Sequence, residues 1–204
     1  MQSATSTEKA DTELVSQTPP EVDIWTLEPE GDVDGSREKK AHAESIALVP
    51  EFDNYGYVGK RGSDSYTVFS ASGSEYTTGS TGGCNCMDAK MNSPENGCKH
   101  NQRLIIELNR GLIPVPDTPV DEWMETKLYD QIITAAEHCA ALEDAQQAAE
   151  RVEEPEYDPS DYDDPIETTA TILTGLHGEY ERYREDVNPD APELPEVVRS
   201  NSME

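Results

Sequence analysis

Cys84 and Cys86 are separated by one residue, and so are Cys98 and His100, with eleven residues between the two pairs. Three of the four cysteines and one of the four histidines thus fall within seventeen consecutive positions. Zinc prefers four tetrahedral nitrogen and sulfur ligands, with thiolates at about 2.3 Å and histidine nitrogen at about 2.0 Å. Two one-spacer pairs can close such a site from two short backbone turns. A complete Cys3His set leaves no open position for water or substrate, which points to one structural zinc rather than a catalytic one. Free or disulfide-linked cysteines are the alternative, disfavoured by the paired spacing and by a reducing compartment.

The surrounding segments predict how these residues are held. Tyr66–Phe69 and Tyr76–Thr78 are β-branched and aromatic, and Ala71–Ser74 supplies a turn, so a hairpin leads into the first cysteine pair. Gly82 and Gly83 let the chain bend just before Cys84. From Cys98 the pattern turns helical through Leu104, Ile105 and Leu108, and ends at Gly111 and Pro114. His100 then falls in the first helical turn. The positive helix N-terminus favours a thiolate nearby. A formal charge of −1 on the loaded centre can be offset by Lys99.

Upstream, 36–49 reads as a short helix capped by Ser36, followed by a loop or irregular hairpin over 50–64. Downstream, helices are predicted over 119–152 and 165–187, each opened by a capping residue and a proline. Leu128, Ile132, Ala135, Cys139 and Leu142 form one apolar stripe. Ile166, Leu173, Tyr180 and Val187, with Thr169, Leu176 and Tyr183 between, form another at heptad spacing. The linker between them is long enough for a helical hairpin. Homodimerisation through the stripes is the alternative.

The net charge is −28, spread as −8 over 1–35, zero over 36–110 and −20 over 111–204. Leu, Ile, Val and Phe number 34 of 204, too few for a single large core in so charged a chain. The expectation is an α+β protein: a disordered acidic segment 1–35, a hairpin-and-helix finger module 36–112, an acidic helical hairpin 113–187 and a flexible tail 188–204. Val22, Ile24, Trp25 and Leu27 form an apolar island in the first segment, either packed at home or a linear motif for a partner. Seven lysines against 43 acids suit a salt-rich cytoplasm, where self-repulsion is screened. Neither a transmembrane run nor a signal peptide is evident, so a cytoplasmic location is expected.

Nothing suggests catalysis: there is no Ser-His-Asp order, no phosphate-binding glycine loop, and acids are too abundant for any pair to be informative. Cys139 reads as a small buried hydrophobe, not a ligand. His138, His42 and His177 have no evident role. Arg103, Arg110, Lys99, Lys90, Lys60 and Arg61 could line one basic face for phosphate contacts, against the opposing total charge.

The pattern Cys84-x-Cys86…Cys98-x-His100 resembles the SWIM-type zinc finger. Tyr66-x-Val68 and Tyr76 resemble that family's paired strands, and Asp88 and Lys99 also occupy familiar positions, though Met87 stands where proline is usual. With the preceding helix, residues 36–112 resemble the small stand-alone SWIM proteins of halophilic archaea. The resemblance implies a non-catalytic module that binds protein or DNA partners. The rival is an adaptor working through its acidic helices, with zinc as a folding staple.

Overall fold

The computed structural model describes residues 19–20, 23–33, 35–59, 64–196 and 198. Three antiparallel strands, β1 (Ile46–Pro50), β2 (Ser65–Ser70) and β3 (Glu75–Gly79), lie in the order β1-β2-β3. Among the described residues, five α-helices accompany them: α1 (Ser36–Ala43), α2 (Met87–Asn92), α3 (Lys99–Asn109), α4 (Tyr129–Glu150) and α5 (Asp163–Asp186). The fold is α+β, as the alternating and helical periodicities together predict.

The hairpin β2–β3 forms as read, with Val68 opposite Tyr76 and Tyr66 opposite Thr78. The helix expected over 36–49 does not run that far. It stops at Ala43, Glu44 is extended, and Ile46–Pro50 becomes β1, paired with β2 from Ile46↔Ser70 to Pro50↔Tyr66. All five β1 residues are buried. Cross-strand pairing with Val68 and Phe69 thus outweighs the weak helical preference of this apolar run. Ser36 does not cap α1; Gly35 occupies that position. Pro119 likewise starts no helix. It bridges to Tyr57, and the chain becomes helical at Asp121, passing through a wide π turn at Trp123–Leu128 into α4. A 3-10 turn, Pro159–Tyr162, leads into α5 and is closed by a capping box on Asp158.

One hydrophobic cluster joins Trp25, the sheet, Leu104, α4 and α5. The finger segment and the helical hairpin therefore share a core rather than standing as two modules. α5 lies against β1 and β2, α4 against α5, and α3 against β3 and α1. Of the two stripes, Leu128, Ile132, Ala135, Cys139 and Leu142 on one and Thr169, Leu173, Leu176, Tyr180 and Tyr183 on the other are buried within the single chain.

Both flanks also contribute, contrary to their composition. Within 23–33, Trp25 is buried, and Leu27 exchanges bonds with His42: its N–H donates to the His42 carbonyl (2.9 Å), and its carbonyl faces His42 Nδ1 (3.1 Å). Val22 lies outside the described residues. In the expected tail, Ala191, Leu194 and Val198 are buried, and Tyr180 donates to the Pro192 carbonyl at 2.9 Å. Low apolar content limits the area a chain can bury, but it does not say which segments bury it. No helix among the described residues is long and apolar enough to cross a membrane.

Candidate metal centre

Past β3 the chain doubles back. Gly82 and Gly83 take φ of 101° and 95°, a region closed to most side chains. This returns Cys84 to a bridge beside Thr78, and Asn85 clamps the turn: its side-chain oxygen accepts from Thr77 N–H (3.0 Å), and its own N–H donates to the Thr77 carbonyl (3.1 Å). Cys86 then caps α2, its sulfur accepting from Ala89 N–H at 3.5 Å. Gly97 (φ 77°) turns the chain into α3, and a side chain there would collide with Asn101. Asn101, itself buried, donates to the Gly79 carbonyl at 2.8 Å and ties α3 to the end of β3. Cys98 sits at the α3 N-cap and His100 in the first turn.

The result brings Cys84, Cys86, Cys98 and His100 together, one ligand atom from each lying within 4.8 Å of all the others. Cys84 Sγ and His100 Nδ1 are 3.7 Å apart. A tetrahedron built on bonds of about 2.3 Å to sulfur and 2.0 Å to nitrogen has a sulfur–nitrogen edge of about 3.5 Å, so this spacing suits an ion between them. Cys86, Cys98 and His100 are buried, and Cys84 is partly exposed. None of the four cysteines is disulfide-linked. The cluster can hold a metal ion.

Its electrostatics favour a thiolate. The hydrogen bond from Cys84 draws the Cys98 thiol well below its ordinary value, against the opposing effect of burial, with His100 helping. Cys84 is pushed up by that same bond and by burial. Two of the three sulfurs also sit at helix N-termini, where partial positive charge stabilises an anion. A bound cation would displace the remaining protons.

Second contacts hold these ligands in place. Tyr76 stacks on the His100 ring at 4.6 Å, with planes 24° apart, and fixes its orientation. Nε2 of His100 is buried without a hydrogen-bond partner among the described residues. Arg37 grips Asp88 through Nε (2.9 Å) and Nη2 (3.1 Å), joining α1 to α2, and holds the Asp88 carboxyl down to about 2. The sequence marked Asp88 by its position but offered no partner fifty-one residues away. It also gave no sign of α2, a short polar helix with no buried residue.

The other marked residues lie elsewhere. Cys139 is buried in α4, its thiol pushed up to about 11 by burial, and it is no part of the cluster. Lys99 pairs with Glu44 instead of facing the sulfurs alone. The proposed basic face does not assemble from the described residues. Arg103 is buried, donating to Glu107 (2.6 Å) and to the carbonyls of Ala41 and Trp25. Arg110 pairs with Glu30 and donates to the Glu28 carbonyl. Lys90 is exposed, and Lys60 and Arg61 lie outside the described residues.

Comparison with family models, with curated proteins and with solved structures finds no match for this chain.

Proposed function

We propose that this protein is a non-catalytic interaction module of SWIM type, built around one structural zinc ion held by Cys84, Cys86, Cys98 and His100. The observation that carries this reading is the closed ligand set, with all four ligand atoms within 4.8 Å of one another on elements already locked by hydrogen bonds. Four protein ligands saturate a tetrahedral ion and leave it no site for substrate. Zinc, with no redox chemistry and a taste for mixed sulfur and nitrogen donors, suits this set better than a hard oxygen-seeking cation. When bound, the ion would cross-link the β3 turn to the start of α3.

A protein partner is favoured over DNA. Duplex binding draws its affinity from a track of cations on phosphates, and here Arg103, Arg110 and Lys99 are engaged within the chain, which carries −28 in all. The adaptor reading, with partners on the acidic helices, is weakened because the apolar stripes of α4 and α5 are spent on the core.

Cobalt substitution tests the closed site. A four-coordinate S3N ion gives intense visible d–d bands and sulfur charge-transfer bands that do not change when small anions or water-competing ligands are added. Weak, ligand-sensitive bands would instead reveal an open position and revive a catalytic reading.

A further inference from the structure

Three of the four residues of the cluster are closed off from solvent, and one is not. Cys86, Cys98 and His100 are 4%, 1% and 3% exposed. Cys84 is partly exposed, and its chain neighbours Gly82, Gly83 and Asn85 are exposed as well. Neither glycine carries a side chain that would shield the sulfur, and the space beside both α-carbons is open. We propose that Cys84 is a site of oxidation by hydroperoxides, and that its oxidation joins it to Cys98 as a disulfide and empties the metal centre. The inference rests on the structural zinc site proposed above and adds a chemical control to it.

The arrangement of the sulfurs chooses the pair. Cys84 hydrogen-bonds to Cys98, within a cluster whose ligand atoms all lie within 4.8 Å of one another. Thirteen residues separate the two in sequence, so a bridge between them closes no tight ring. A bridge from Cys84 to Cys86 would enclose a single residue in a strained ring. Cys86 is also engaged: its sulfur accepts from Ala89 N–H at 3.5 Å, which stabilises its charge and blunts it as a nucleophile. Cys139 is buried in α4, apart from the cluster.

In the first step the Cys84 thiolate attacks a hydroperoxide oxygen. A sulfur–oxygen bond forms, the oxygen–oxygen bond breaks, and alkoxide or hydroxide leaves with the electron pair. The Cys98 thiolate then attacks the Cys84 sulfenic acid, forming the disulfide and expelling hydroxide. Two thiolates are oxidised, and the hydroperoxide, with two protons from solvent, is reduced to water and an alcohol or a second water. With two of four ligands withdrawn, the remaining Cys86 and His100 no longer hold the ion. The bridge still ties the β3 turn to the start of α3. It frees Cys86, however, and α2, which buries no residue, is then left to the Arg37–Asp88 pair.

The test is hydrogen peroxide titration of the zinc-loaded full chain. Released zinc is read with a chromogenic chelator, and thiols are mapped by alkylation after denaturation and non-reducing peptide mass analysis. About one zinc should leave per disulfide formed. The bridge should map to Cys84 and Cys98, with Cys86 and Cys139 still alkylated, and C139A should behave as wild type. Amide exchange should show α2 losing protection while α3 keeps it. A dithiol reductant with added zinc should restore the starting state. A first bridge to Cys86 or Cys139 would overturn the inference. So would zinc release without a disulfide, loss of α3 protection together with that of α2, or full retention of zinc and thiols at a dose that oxidises free cysteine. Each of these leaves the zinc site standing, whereas a purified chain that binds no zinc overturns both.

Discussion

Phe69 of β2 packs against the bare backbone of Gly175 on α5: a methyl group at Gly175 would stand 2.3 Å from the ring. The close approach lets α5 lie directly on the sheet, and so joins the strands that lead to the metal cluster to the acidic helices. Gly175→Ala should therefore destabilise the protein by about 1–3 kcal/mol, the cost of overpacking. Gly178, three residues on, has open space around its α-carbon, and Gly178→Ala should stabilise by about 0.5–1 kcal/mol through helix propensity. Urea unfolding of the two variants measures both. A stabilising Gly175→Ala would show that the helix does not sit this close.

Metal analysis of the purified chain should give one zinc, and Cys86→Ser with Cys98→Ser should abolish its binding. Chelation should first release amide protection over 84–100, where α2 buries no residue. β1, β2, α4 and α5 share the main apolar cluster and should hold their protection longer. Simultaneous loss of all protection would mean that the metal, rather than the shared core, nucleates the whole fold.

Arg103 and Glu107 form a buried pair on α3 at 2.6 Å, with side chains 5% and 11% exposed. Burial pushes the Glu107 carboxyl up, although Arg103 pulls it down. Glu107→Ala would leave a buried guanidinium without its counter-ion and should cost about 3–5 kcal/mol. Because Arg103 also holds the carbonyls of Trp25 and Ala41, tryptophan fluorescence should report the loss as release of Trp25. A variant with wild-type stability would place the pair in water.

Cys139→Ala should leave zinc content unchanged. The folded Cys139 thiol lies at about 11, above its ordinary 9.0. A raised folded value means that the thiol's contribution is complete below the unfolded value and is lost as pH climbs through the interval from about 9 to 11. The stability of wild type relative to Cys139→Ala should thus fall across that interval, as read by thermal melting. A flat difference would sink the assignment of a buried, unionised thiol.

Added salt should raise the melting temperature, because 25 of the 43 acids lie beyond residue 110, where only five bases accompany them. The Debye length shrinks from about 10 Å at 0.1 M to about 3 Å at 1 M, so most of the gain should come below molar concentration. Equal melting temperatures in low and multimolar salt would remove the case for adaptation to a salty cytoplasm.

The ligand cluster, the β2–β3 hairpin and the long helices were legible in the residues themselves, because each rests on short-range spacing: one-residue gaps, alternation and apolar recurrence every three or four positions. The same is true of Cys139, whose place on an apolar stripe marked it as core. Tertiary structure decided the rest. Ile46–Pro50 became a strand because β2, some twenty residues on, offered it a ladder. Trp25 and Leu194 became core inside segments whose composition reads as unstructured. Arg103, Arg110 and Lys99 turned from candidate partner contacts into internal ties to Glu107, Glu30 and Glu44. Local pattern records what a segment can do with its own neighbours. A buried ion pair, a strand edge or a docked tryptophan depends on a partner far along the chain, and only the folded core brings that partner within reach.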